Sequence, residues 1–258
     1  MRALVTGAGR RLGRHMALYL AQRGYDLALH FASSRDETET LAEEIRNMGR
    51  KAVCLRADLL IETQTQKLIE KAAQGLGGAL SVLINNASIF EYDNFASATR
   101  KSWDRHMESN LRAPFVLAQG FAAQSPRAII DETGEPKAQG LIVNMIDQRV
   151  RKLTPEHFSY TIAKMGLWAL TQTAAQALAP DVRVNGIGPG PTLQGGRQSE
   201  ELFAKQRQST LLARGANPAD ITAALGFFLD SPAVTGQMIA VDGGQHLAWQ
   251  TPDVMDVE

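Results

Sequence analysis

The chain has 258 residues, of which 44% are hydrophobic and 21% charged, an ordinary balance for a protein that buries a real core. Lysine and arginine together number 27, as do aspartate and glutamate, and no basic face shows along the sequence, which argues against a nucleic-acid binder. The longest apolar runs are short and strand-like, so no segment is read as spanning a membrane.

Residues 3–6 read as a first strand that begins too early to leave room for a leader peptide. Gly7-Ala8-Gly9-Arg10-Arg11-Leu12-Gly13 follows, then an amphipathic helix over 12–23. Strand, glycine turn and helix in this order suit a dinucleotide, because glycines let the backbone approach a pyrophosphate at the helix N-terminus. The spacing resembles T-G-x-x-x-G-x-G, with Arg11 where the middle glycine belongs.

The second strand, 27–31, ends in His30-Phe31-Ala32-Ser33-Ser34. In a dinucleotide fold an acid here binds a ribose diol, whereas a cation or hydroxyls accept a 2′-phosphate. No acid is present; Asp36 and Glu37 come later and read as first-turn helix residues. Ser33, Ser34 and Arg11, which can reach the same place, therefore favour NADP(H) over NAD(H). A helix over 39–48 and a third strand over 52–55 follow. Cys54, the single cysteine, reads as a buried thiol suited to a reducing cytoplasm. Asp58 lies at the ligand side of that strand end, where it can accept from an adenine amino group or cap a helix.

After a helix over 64–74, the fourth strand, 82–85, runs into Asn85-Asn86-Ala87-Ser88. Small and amide residues there permit close approach of a ligand and knit neighbouring strand ends. Phe90, at the mouth of that strand, reads either as a core ring or as a face that stacks on a flat substrate. A helix over 103–123 contains Pro114, which removes the amide that would bond the Asn110 carbonyl. A kink and a free acceptor are predicted there, able to hold a water beside a catalytic lysine. Residues 125–140 read as a surface loop rather than a domain linker.

A strand over 141–146 leaves at Asp147. Thr154 and Pro155 read as N-cap and first residue of a helix that runs to 178. Tyr160 and Lys164 stand at i and i+4, on one face. A phenol, an ammonium and a carboxylate at the preceding strand end make a proton-transfer site, in which the ammonium is expected to bring the phenol pKa down. The helix is apolar or small nearly all round, which predicts cover on both sides, by its own sheet and by a second subunit. A strand over 182–187 exits through Gly188-Pro189-Gly190-Pro191-Thr192, whose backbone groups can edge a nicotinamide. Residues 193–209 read as a movable flap over a substrate. A helix over 218–229, a strand over 237–241 and an acidic tail over 249–258 complete the chain. The histidines show no ligand spacing, so no metal site is expected. Strand and helix alternate throughout, which predicts an α/β fold: a single-domain doubly wound parallel sheet over 1–248, with its flap near 191–210.

Thr6-Gly7…Gly13, Asp58, Asn85-Asn86-Ala87, Asn110, Tyr160-x-x-x-Lys164, Gly188-Pro189-Gly190 and Asp242-Gly243-Gly244 together resemble the short-chain dehydrogenase/reductase family over essentially the whole chain. The resemblance implies an NAD(P)-dependent enzyme of the Rossmann fold, usually a homotetramer. Tyr160 would be the proton donor, with Lys164 lowering its pKa and holding the nicotinamide ribose, and Asn110 completing the relay. Cofactor contacts are implied at Gly7, Arg10, Arg11, Leu12, Ser33, Ser34, Asp58, Leu59, Asn86, Ala87, Ser88, Tyr160, Lys164, Pro189 and Gly190.

Two departures are informative: the usual catalytic serine is Asp147, and the middle glycine is Arg11. Both occur together in the pteridine reductases, whose T-G-A-x-[KR]-R-L-G and N-M-x-D motifs are similar to Thr6–Gly13 and Asn144–Asp147. The stretches Asn144-Met-Ile-Asp-Gln-Arg and Gly188-Pro-Gly-Pro-Thr-Leu are similar to the bacterial dihydromonapterin reductase and alternative dihydrofolate reductase group. In such enzymes the aromatic after Asn-Asn-Ala-Ser, here Phe90, forms one side of a slot for a pterin. The chemistry agrees: a carboxylate cannot donate to a carbonyl and repels a developing oxyanion, whereas it can accept from a pterin N–H. The resemblance implies that NADPH reduces a C=N bond of a dihydropterin of dihydromonapterin, dihydrobiopterin or dihydrofolate type, with the proton supplied by Tyr160 coupled to Asp147 and Lys164. Arg11, Phe90, Asp147, Tyr160, Pro191 and Leu193 would touch the substrate. A carbonyl or 3-oxoacyl reductase, and a non-catalytic NADP(H)-binding protein, are the alternatives.

Overall fold

The computed structural model describes residues 1–196 and 198–249; the acidic stretch 250–258 lies outside them. The strands are β1 (Arg2–Val5), β2 (Asp26–Phe31), β3 (Ala52–Arg56), β4 (Val82–Asn85), β5 (Ile129–Ile130), β6 (Pro136–Lys137), β7 (Gly140–Met145), β8 (Val182–Pro189) and β9 (Met238–Val241). Seven of them form one sheet in the order β3-β2-β1-β4-β7-β8-β9, and every pairing in it is parallel. The helices are α1 (Arg11–Gln22), α2 (Arg35–Asn47), α3 (Glu62–Thr65), α4 (Leu68–Leu76), α5 (Arg100–Met107), α6 (Ala113–Gln124), α7 (Phe158–Leu178), α8 (Glu200–Gln208) and α9 (Pro218–Asp230).

Strands of a parallel sheet are covered on both faces, so their residues alternate between two cores. Along β1, Ala3 and Val5 pack with Met16, Leu20, Leu41 and Phe228 from α1, α2 and α9. Leu4 faces the other way, onto Leu68, Leu76, Leu117 and Phe121 from α4 and α6. β1 lies between β2 and β4, so the chain leaves the two central strands toward opposite faces. That divergence opens a crevice at the carboxyl ends of β1 and β4, the usual ligand position in such sheets. Among the described residues no helix is long and apolar enough to cross a membrane.

Several expectations change in detail. The helix predicted over 103–123 is three pieces: α5, one π-helical turn over Glu108–Arg112, and α6, with Pro114 in the first turn of α6. The proline's missing amide is absorbed by widening the turn rather than by a simple bend. The helix predicted over 64–74 is divided into α3 and α4. The surface loop 125–140 carries a short antiparallel hairpin of β5 and β6. Cys54 is half-buried rather than buried.

The start of α7 is the largest correction. Thr154 and Pro155 do not begin it; His157 precedes Phe158 in a left-handed conformation, φ 55°. Residues 148–150 instead form a tight 3-10 turn whose cap is Asp147. Thr154 is drawn into that turn, because its hydroxyl accepts from the Arg149 guanidinium at 2.8 Å.

Candidate active site

The crevice is a cleft of about 1290 Å³. Of the residues predicted to act there, Gly7, Arg10, Arg11, Leu12, Ser33, Asp58, Leu59, Asn86, Ala87, Ser88, Phe90, Asp147, Tyr160, Lys164, Pro189, Gly190, Pro191 and Leu193 line it. Ser34 and Asn110 do not; Ser34 stands at the N-cap position of α2, without a side-chain cap bond.

The glycine turn is drawn tight. Gly7 has φ +62°, a conformation that favours glycine. A Cβ on Gly13 would lie 2.1 Å from the Gly7 carbonyl oxygen, so no side chain fits there. Asn86 reaches back to donate to the carbonyls of Thr6 (2.8 Å) and Gly7 (3.1 Å), while the Thr6 hydroxyl accepts from the Asn86 and Ala87 amides. His30 completes the turn from β2. Its Nδ1 accepts the Gly7 N–H at 3.1 Å, so its proton sits on Nε2, which donates to the Ala57 carbonyl at 3.0 Å. Burial pushes its pKa down to about 4 and keeps the ring neutral.

Arg11 occupies its position with φ 52°, the left-handed conformation a glycine would take at no cost. Contrary to the expectation from the sequence, it does not reach the end of β2. Its guanidinium crosses the cleft to the flap, donating to the carbonyls of Gln194 (2.6 Å) and Leu193 (2.9 Å). Near the β2 end the cleft is lined by Ser33, by Arg10, which pairs with Glu37, and by Arg56.

At the other end stand Asp147, Tyr160 and Lys164. Tyr160 donates to Asp147 Oδ2 at 2.8 Å, and Asp147 Oδ1 accepts the Arg149 amide at 2.8 Å. The Lys164 ammonium donates to the Met145 carbonyl at 2.7 Å and lies 5.6 Å from the centre of the phenol ring. The expected lowering of the phenol pKa does not occur. Burial, then the neighbouring Asp147 carboxylate, push Tyr160 well above its ordinary value, against smaller opposing effects of Arg149 and Ser88. Burial instead pulls Lys164 down to about 8. The resting site thus holds a neutral phenol directed at a carboxylate.

Phe90 is 54% exposed and faces this group, edge-on to Tyr160 with centroids 4.8 Å apart and stacked on His157 at 4.2 Å. Asn110 does not approach Lys164 through its side chain. Its amide grips Ile89, accepting from the N–H (2.9 Å) and donating to the carbonyl (2.8 Å), and so fixes the segment that carries Phe90. Sequence reasoning missed His30, Arg56, Gln148, Arg149 and the buried group Asp93, Ser159 and His106. A histidine in the otherwise apolar end of β2 was a readable signal for the first; the last group joins segments too distant in sequence to show.

A family model described as enoyl-(acyl carrier protein) reductase matches residues 7–246. A short-chain dehydrogenase/reductase of Armillaria gallica is 32% identical, with 94% of each chain covered. The chain belongs to the short-chain dehydrogenase/reductase family. Within it, 3-oxoacyl-[acyl-carrier-protein] reductase FabG of Staphylococcus epidermidis is 30% identical, over 95% of this chain and 98% of that one. The crystal structure of FolM alternative dihydrofolate reductase 1 from Brucella suis, in complex with NADP, superposes with a TM-score of 0.90 at 42% identity, covering 98% of both chains.

Proposed function

We propose that this short-chain reductase uses NADPH to reduce a C=N bond of a dihydropterin. The observation that carries the reading is the Tyr160–Asp147 hydrogen bond of 2.8 Å in the cleft, at the position where the family usually has a serine. The FolM likeness supports it.

The residues fit the cofactor. The glycine turn has no room for a side chain at Gly13, and the cleft beside the end of β2 is lined by Ser33, Arg56 and Arg10, the last shared with Glu37. Bound NADPH would supply the hydride. Lys164 is placed to hold a ribose hydroxyl, and Phe90 to stack on a flat ring. The proton problem falls to Tyr160 and Asp147. Leaving a phenolate beside the Asp147 carboxylate is disfavoured by the burial and the charge that raise the phenol pKa. A proton taken up on Asp147 and passed through Tyr160 to the imine nitrogen avoids that species: the phenol gives one proton and receives another, and the negative charge ends on the carboxylate. The outer face of α7 exposes Met165, Ala169 and Ala177 beside Gln172, Thr173 and Gln176, a mixed face that can pack on a second subunit, and we read the assembly as a homotetramer.

The 3-oxoacyl reductase relatives favour a carbonyl substrate as the competing reading. Against it stands Asp147, whose carboxylate repels a developing oxyanion. The test is NADPH oxidation with 7,8-dihydropterins, dihydrofolate and a ketone panel. Turnover of the pterins, lost in Asp147→Ala, is expected; turnover of ketones alone would refute the proposal.

A further inference from the structure

Arg149 stands two residues beyond Asp147, its backbone fixed by the bond from its N–H to the Asp147 carboxylate. Among the described residues its guanidinium makes one hydrogen bond, from Nη1 to the Thr154 hydroxyl at 2.8 Å. That bond anchors one side of the group and sets its plane. The opposite edge, made by Nε and Nη2, presents two parallel N–H bonds, the fork that grips a carboxylate. Among the described residues the buried Nε has no acceptor, Nη2 makes no hydrogen bond and the guanidinium no salt bridge. Of the other arginines that line the cleft, Arg10 pairs with Glu37, Arg11 with the flap carbonyls and Arg105 with Glu91, while Arg56 stands at the far end, beside the end of β2. Beside Arg149, Gln148 is more than nine-tenths buried and, among the described residues, its Oε1 also lacks a partner. Two adjacent unpartnered polar side chains in one cleft wall are costly unless a ligand satisfies them.

The position tells which ligand. Arg149 lines the cleft together with Phe90, Asp147 and Tyr160, and its charge is felt by both Tyr160 and His157, the ring stacked on Phe90. The cation therefore lies at the Phe90 end, with the substrate slot and not with the glycine turn. We propose that Arg149 is the receptor for a carboxylate on the tail of the substrate, so that the site prefers a folate-type dihydropterin over one whose side chain carries only hydroxyls. This rests on the dihydropterin reading above. A hydroxylated side chain can accept a hydrogen bond but offers no charge, whereas the acylglutamate tail of a folate brings a carboxylate that matches the fork.

The test compares dihydrofolate with a tail-less 7,8-dihydropterin in the wild type, Arg149→Met and Arg149→Lys, and measures folate and pterin binding by calorimetry. Arg149→Met is expected to cut kcat/KM for dihydrofolate roughly 10- to 100-fold, mainly through KM, with the loss on the tail-less substrate at least roughly tenfold smaller. Arg149→Lys should recover part of it, since the charge returns without the fork, and folate affinity should fall in step. The ratio between substrates cancels any effect of Arg149 on the Tyr160 proton. Should Arg149→Met fail to fold, Thr154→Val keeps the charge but removes the anchor and should give a smaller loss in the same direction. Equal losses on both substrates, or none on dihydrofolate, would overturn this inference alone. A wild type that turns over neither substrate and binds no folate overturns the dihydropterin reading and this inference with it.

Discussion

Acid should loosen the cofactor end of the cleft through His30. The ring is 1% exposed, accepts from Gly7 and donates to Ala57, and its pKa is pulled from 6.5 down to about 4 by burial. The fold thus favours the neutral ring. Above pH 6.5 neither the folded nor the unfolded chain protonates it, and its contribution is whole. As the pH falls through 6.5 the unfolded chain takes up a proton that the fold refuses, so stability drops by about 1.4 kcal/mol per pH unit until the folded ring titrates near 4. By pH 5 the loss is about 2 kcal/mol. His30→Gln provides the control, since a neutral amide can accept from Gly7 and donate to Ala57 but cannot titrate. Urea unfolding followed by circular dichroism should show the variant less stable than wild type by about 1 kcal/mol at pH 7.5. At pH 5 the order should reverse. Parallel pH dependences for the two proteins would refute the argument, because the carboxylates that also titrate are common to both.

Gly13→Ala should abolish NADPH binding, measured by nucleotide fluorescence, because the new methyl would meet the Gly7 carbonyl at 2.1 Å and force the turn apart. Arg11→Gly should melt higher than Arg11→Ala, since glycine alone adopts φ 52° without cost, on the order of 1–2 kcal/mol for other residues; both should raise KM by freeing the flap. Tyr160→Phe should lower kcat roughly 10²- to 10⁴-fold with NADPH binding retained.

The strands and the ligand end of the sheet were legible because most strands are short apolar runs closed by a glycine, asparagine or aspartate at the site, and β2 by Ser33 and Ser34. Tyr160 and Lys164 were legible for a similar reason: helical spacing alone puts them on one face. What was not legible depended on contacts across the chain. Thr154-Pro155 has the composition of a helix start, but Arg149 claims the threonine hydroxyl and the helix begins after the turn. Arg11 was placed by its neighbours in sequence, yet its long side chain follows the flap carbonyls, some 183 residues away. The phenol pKa failed for a physical reason. Sequence spacing shows the lysine but neither the depth of burial nor the direction in which Asp147 points, and those two decide the sign.

The segment that carries Phe90 and the helix that carries Tyr160 must keep a fixed spacing if a flat ring is to fit between cofactor and aromatic. His157 provides no side-chain cap for α7, and the missing cap comes from Asp93 on the Phe90 segment. Its carboxylate accepts the Ser159 N–H at 3.1 Å and the Ser102 hydroxyl at 3.0 Å, a negative charge at the positive end of the helix. The remaining polarity follows by elimination. The Glu91 N–H, 3.2 Å from His106 Nε2, can only donate, so the His106 proton is on Nδ1. Nδ1 then donates to the Ser159 hydroxyl at 2.7 Å, and that hydroxyl donates to Asp93. Burial lowers the His106 pKa and keeps this arrangement neutral at the ring. With Asn110 holding Ile89 and His157 donating to the Glu91 carbonyl, segment and helix are tied at both ends. Neither Phe90 nor Tyr160 can shift without breaking a buried hydrogen bond, so the 4.8 Å between their rings is set by residues that never enter the cleft.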